Sequence, residues 1–149
     1  MDLALTRRGD YAVRAALCLA KRGDGRYLKI REVAAAMGLP PSYTPQVLKL
    51  LAGAGITEAR AGRDGGYRLT RAPAAVSLLE VVEAADGPFR LERCILRGGP
   101  CHWEQACAVH AAWSAAVLAC RASLAGTTLA DLVATDARLA KEYAAEDPT

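Results

Sequence analysis

The 149-residue sequence predicts a mainly α fold with a small β-hairpin, and three observations carry that expectation. Apolar residues recur at spacings of three and four in the segments 6–22 and 30–37, the period of a helix that buries one face. A glycine-rich turn, Ala61-Gly-Arg-Asp-Gly-Gly66, lies between two short runs of strand character, the signature of a hairpin. An alanine-rich stretch from about residue 106 to 126 keeps the helical period without a proline. Hydrophobic residues make up 52% and charged residues 23% of the chain, enough for a core in a chain of this size. The N-terminal charges are followed by no apolar stretch, and no apolar run reaches the roughly eighteen residues that would span a bilayer. The expectation is a cytoplasmic protein.

Each element has its own justification. Val13, Ala16, Leu17 and Ala20 define a first helix from Thr6 to about Arg22, ending at the Gly23-Asp-Gly25 turn. Asp10 falls in its first turn, where a carboxylate suits the helix dipole, and Cys18 is read as a small buried hydrophobe. A second helix covers Ile30 to Met37, with Gly38 at its end. After Leu39-Pro-Pro41, a third helix starts near Ser42 as N-cap and runs to about Ala52, with Pro45 tolerated in its first turn. Two short helices joined by a tight turn read as a helix-turn-helix, whose second helix would enter a DNA major groove. Its polar residues Ser42, Tyr43, Thr44, Gln46 and Lys49 are then the candidates for base and phosphate contacts. Strands at Ile56–Arg60 and Tyr67–Thr70 flank the glycine turn and form a wing carrying Arg60, Arg63 and Arg68, which can reach phosphates or the minor groove. This glycine loop lacks the Gly-Lys-Ser/Thr ending of a nucleotide-binding loop. The segment is expected to be a winged helix-turn-helix DNA-binding domain.

Beyond Ala72-Pro73, Ser77-Leu-Leu-Glu80 is a capping box that opens a helix to about Ala84 or Ala85, stopped by Asp86-Gly-Pro88. A long helix starts around Ala106, with Val109, Trp113, Val117, Cys120 and Leu124 on one face and alanines on another. It is read as a dimerisation helix, because alanine lets two backbones approach. Thr128-Leu-Ala-Asp131 caps a last helix. Residues 1–75 carry 13 Lys+Arg against 6 Asp+Glu, whereas residues 76–149 carry 6 against 10. A basic module followed by an acidic segment fits a DNA-binding domain (1–75) joined to a cluster-binding loop and helical dimerisation region (76–149).

Between those helices, Cys94, Cys101, Cys107 and His110 fall within seventeen residues. Three thiols and an imidazole at such spacing are a ligand set for zinc or an iron-sulfur centre, and spacing alone leaves both open. Cys107 and His110, three apart at a helix start, are expected on one face, with the helix N-terminus favouring the Cys107 thiolate. An odd cysteine count without a secretion signal argues against a disulfide framework. His102 is read as a surface residue.

Thr6-Arg-Arg-Gly-Asp-Tyr-Ala-Val-Arg-Ala15, Pro41-Ser-Tyr43, the Gly62-Arg-Asp-Gly-Gly-Tyr-Arg-Leu69 wing and the later cysteines, in that order, resemble the winged-helix iron-sulfur transcription regulators. That family includes the iron-sulfur assembly regulator and the nitric-oxide-sensing repressor. The resemblance covers nearly the whole chain and implies a homodimer on a palindromic operator in double-stranded DNA, with an iron-sulfur cluster (2Fe-2S or 4Fe-4S) controlling affinity. It implies three cysteine ligands, Cys94, Cys101 and Cys107, and a fourth that is either His110, as in the assembly regulator, or a first-helix carboxylate of the other subunit at the position of Asp10, as in the nitric-oxide sensor. Six residues rather than five separate Cys94 from Cys101, a departure from both patterns. Phosphate contacts are expected from Arg7, Arg8, Lys49 and Arg60. The alternative is a zinc or iron-sulfur protein that senses or carries metal without binding DNA. An enzyme is not expected, since neither a cofactor-binding fingerprint nor an acid-base pair is evident.

Overall fold

A computed structural model describes residues 4–22, 24–88, 96, 99 and 106–146. The central element is α1 (Arg7–Lys21), which packs against the second, third, fourth and last helices. Thr6 is its N-cap, the hydroxyl accepting the Gly9 N–H at 3.1 Å. Ala12, Ala15, Ala16 and Leu19 lie on its buried face, and the three alanines let the neighbouring helices come close.

Helix α2 (Ile30–Met37) ends as expected on Gly38, in the left-handed conformation with φ 61°. The start of α3 (Thr44–Gly53) differs from expectation. Its N-cap is Tyr43, without a side-chain cap bond, and Ser42 lies in the preceding turn. The Pro40 carbonyl accepts the N–H groups of Tyr43 and Thr44, both at 3.0 Å, and the Thr44 hydroxyl at 2.9 Å. The turn thus closes through this carbonyl, and no serine cap is needed to start the helix.

Strands β1 (Thr57–Arg60) and β2 (Gly66–Leu69) pair antiparallel, from Thr57 opposite Leu69 to Arg60 opposite Gly66. On the far edge of β2, Leu28 exchanges two backbone hydrogen bonds with Tyr67, at 2.9 and 2.8 Å. This bridge fixes the wing against the α1–α2 turn. It also explains Gly66: a Cβ there would lie 2.2 Å from the Leu28 carbonyl oxygen.

A 3-10 turn (Pro73–Ala75) leads to α4 (Leu78–Asp86), which opens with the predicted capping box of Ser77 and Glu80. Helix α5 (His110–Gly126) starts four residues later than the sequence suggests, with Val109 as an N-cap that offers no side-chain bond. Its half-buried positions include Trp113, Val117, Cys120 and Leu124, the spacing predicted, but none is fully buried. Helix α6 (Leu129–Glu146) follows. Leu129 is buried, and its N–H donates to the Val76 carbonyl at 2.9 Å, bringing the start of α6 onto the approach to α4. One hydrophobic cluster contains Ala12, Leu28, Val33, Leu48, Leu51 and Ile56 together with Val76, Val81, Ala85 and Leu129. Residues from both sides of position 75 therefore share a core. Among the described residues no helix is long and apolar enough to cross a membrane.

Candidate nucleic-acid interface and metal ligands

The exposed DNA-contact candidates occupy three places on the fold. Arg7 and Arg8 are exposed on the first turn of α1. Ser42, Gln46 and Lys49 are exposed in the turn before α3 and along the helix itself. Arg60 and Arg63 are exposed on the wing.

Three candidates sit differently from their sequence reading. Thr44 is not an outward residue: it is 1% exposed and its hydroxyl is committed to the Pro40 carbonyl. Its place on the inner side of the first turn of α3 makes it a packing residue of the helix-turn-helix. Tyr43 is half-buried, its ring set edge-on to Tyr11 with centroids 5.6 Å apart, a favourable aromatic geometry that anchors α3 on α1. Arg68 is held within the wing, its Nε donating to Glu58 at 2.6 Å and a terminal nitrogen to the Gly25 carbonyl at 3.1 Å. Its guanidinium lies over the Tyr27 ring, 4.6 Å from the centroid, a cation–π contact.

This network shifts its members. The hydrogen bond from Arg68, followed by that from Tyr27, lowers the Glu58 carboxyl from its usual value, while donation to Glu58 raises the Tyr27 phenol. The base of the wing is thus joined by hydrogen bonds and ring contacts, with Arg60 also over Tyr27 at 5.7 Å. Lys29 was not singled out from the sequence. Its Nζ reaches 33 residues along the chain to donate to the Gly62 carbonyl at 2.9 Å, and also to the Arg63 carbonyl. Nothing in its local pattern distinguishes it from any other surface lysine, because the partners are main-chain atoms of a distant turn.

Of the metal-ligand candidates, Cys94 and Cys101 lie outside the described residues. Cys107 is half-buried and precedes α5 rather than lying on it, so it shares no helix face with His110. A turn joins the two instead: the His110 N–H donates to the Cys107 carbonyl at 3.2 Å. The His110 Nε2 lies 3.4 Å from the Ser114 hydroxyl. Asp10 is half-buried on α1 and forms an ion pair with Arg14, one turn on, at 2.9 Å. Among the described residues no three His, Cys, Asp or Glu side chains gather into a metal-binding group. Cys18 is buried in the core as expected, and burial raises its thiol pKa, which makes it a poor nucleophile.

This arrangement, a helix-turn-helix on a central helix with an arginine-bearing wing, has counterparts among known proteins. Residues 5–135 match the Rrf2 family, described as "Iron-dependent Transcriptional regulator". The chain belongs to the Rrf2 family. It is thereby a DNA-binding transcriptional regulator. A Mycobacterium tuberculosis protein named among the HTH-type transcriptional regulators is 32% identical over 152 residues, covering 99% of this chain and 94% of that protein. Two solved Rrf2-type structures share the fold. CymR, the global cysteine regulator of B. subtilis, has a TM-score of 0.73 at 23% identity, covering 90% of this chain and 98% of that one. IscR of T. potens has a TM-score of 0.70 at 22% identity, covering 91% and 90%.

Proposed function

We propose that this Rrf2 regulator acts as a homodimer on a palindromic operator and that an iron-sulfur cluster held by Cys94, Cys101, Cys107 and a fourth ligand sets its DNA affinity. The division of labour follows the two halves, with residues 1–75 contacting DNA and residues 76–149 binding the cluster and the second subunit. The observation that supports the reading is the Cys107–His110 turn: its main-chain hydrogen bond closes the chain between a cysteine and a histidine where the cysteine-bearing segment enters α5. Thiolates and imidazole are the donor chemistry that such clusters accept, so the residues fit the group. When bound, a cluster of this kind supplies a centre sensitive to oxidation, nitric oxide and iron supply.

The remaining steps belong to the chain. His110 is the preferred fourth ligand, because it starts α5 and is tied to Cys107, whereas the Asp10 carboxylate already pairs with Arg14. Helix α5 leaves Leu118 exposed, at 52%, on a stripe with the exposed Ala111, Ala115 and Ala122, and this face suits a second copy. Arg7, Arg8, Lys49, Arg60 and Arg63 neutralise phosphates, and the exposed Ser42 and Gln46 contact base edges.

Operator titrations with anaerobically purified and with cluster-free protein test the reading. A difference in affinity is expected, and equal affinities would sink the switch. Absorption spectra of His110→Ala and Asp10→Ala assign the fourth ligand, His110→Ala being the variant expected to lose the cluster bands.

A further inference from the structure

A cavity of about 290 Å³ lies between the α1–α2 turn and the base of the wing, away from the metal-ligand candidates. Four arginines line it, Arg22, Arg26, Arg68 and Arg71, above a floor that includes Leu19 and Leu69, and no acidic side chain lines it. Two of the four are neutralised and fixed from outside the cavity: Arg68 by Glu58 at 2.6 Å and Arg71 by Glu80 at 2.8 Å. Arg71 also donates to the Ala75 carbonyl at 3.0 Å, so these two guanidinium groups are held in place before any ligand arrives. The other two retain their charge. Arg22 makes no ion pair among the described residues, and Arg26 reaches Asp24 and Glu32 only at 4.0 and 3.8 Å. Converging guanidinium groups with spare donors recognise oxyanions.

We infer that this cavity is a binding site for a small phosphate monoester, with its carbon portion resting on Leu19 and Leu69. Its volume stands at the lower end for ligand pockets, which suits a metabolite-sized anion. The site is separate from the N-terminal DNA contacts. Arg22 follows the last turn of α1, about 22 Å along the helix from Arg7, and the cavity opens at the base of the wing rather than at its Arg63 tip. An anion bound there joins the turn that carries Arg22 and Arg26 to the strand that carries Arg68, so its occupancy bears on how the wing is held. The site draws on no metal ligand and is independent of the iron-sulfur reading.

Calorimetric titration of the full-length protein with glycerol phosphate and with inorganic phosphate, at ionic strength held constant with chloride, tests it. Saturable binding of one equivalent per chain is expected. Arg22→Ala and Arg26→Gln should each weaken it by about tenfold, as for a lost charge-assisted hydrogen bond, with unchanged thermal unfolding because neither side chain supports the core. Absence of saturable heat from either probe would overturn the proposal. So would competitive displacement of the probe by duplex DNA together with an equal loss of DNA affinity in Arg22→Ala, since the cavity would then be a DNA phosphate contact.

Discussion

Thr6 and Asp86, eighty residues apart, are joined twice: the Thr6 N–H donates to the Asp86 carboxylate at 3.0 Å and the Thr6 hydroxyl donates to its other oxygen. The last residue of α4 thereby holds the first turn of α1, the turn that carries Arg7, Arg8 and Asp10. Gly9 completes the arrangement, because a Cβ at that position would lie 2.5 Å from an Asp86 oxygen. Since the chain runs on from Asp86 toward Cys94, this clasp also connects the start of the cysteine-bearing segment to the end of α1 that carries Arg7 and Arg8, proposed above as phosphate contacts.

The clasp is testable by a double-mutant cycle. Thr6→Ala removes the cap of α1 and the hydroxyl's bond to Asp86 while keeping the bond from its N–H, and should cost about 1–2 kcal/mol in urea unfolding. Gly9→Ala should destabilise in the wild-type background by displacing Asp86, yet be harmless or favourable alongside Asp86→Ala, since alanine is the better helix former. Additive effects of Gly9→Ala and Asp86→Ala would show that the two residues do not meet.

A second expectation concerns the wing tip. Lys29→Met removes the ammonium that donates to the Gly62 and Arg63 carbonyls while keeping the length of the side chain. Operator affinity should fall by about tenfold, the worth of one charge-assisted hydrogen bond, with little change in thermal stability because Lys29 contributes no core contact. Unchanged affinity in filter binding or anisotropy would mean that the wing is oriented by the Leu28–Tyr67 bridge alone.

How much of this was legible in the sequence depended on the range of the cause. Helix α2, the capping box of Ser77 and Glu80 and the hairpin are set by neighbours within a few residues, and each was found where the pattern placed it. The start of α3 was misplaced because Ser42 has the chemistry of a cap, whereas the Pro40 carbonyl took the donors instead. Thr44 turned inward for the same reason. The Thr6–Asp86 clasp, the Lys29 contact with the wing and the four-arginine cavity join segments 33 to 80 residues apart, and no local pattern announces them.

Acid should loosen the fold in a predictable direction. Glu58 is lowered by Arg68 and then Tyr27, and Asp131 by the Thr128 hydroxyl and then its N–H; at Glu80, burial raises the value but Ser77 and Arg71 outweigh it. Carboxyls with depressed folded values stabilise the fold above their unfolded value of about 4 and lose that contribution as the pH falls through the folded value. The urea midpoint should therefore drop as pH falls from about 6 to 3. Glu58→Gln should flatten part of that dependence, and a midpoint independent of pH over this range would contradict the network.

Helix α3 offers the sharpest separation of packing from contact, because polar residues along it differ in burial. Lys49 is exposed and Thr44 is 1% exposed. Lys49→Ala should weaken DNA binding on every sequence and reduce the slope of log affinity against log salt by about 1, the release of one counterion, without lowering stability. Thr44→Val should do the reverse: it loses the bond to the Pro40 carbonyl at a cost of about 1 kcal/mol in unfolding, and the salt slope stays as it was. Gln46→Ala, if the side chain reads a base edge, should lower affinity for the operator far more than for unrelated duplex, narrowing the ratio between them by about 1–3 kcal/mol. A Thr44→Val variant with full stability and a shallower salt slope would place that residue on the DNA after all and undo the inward assignment of the first turn of α3.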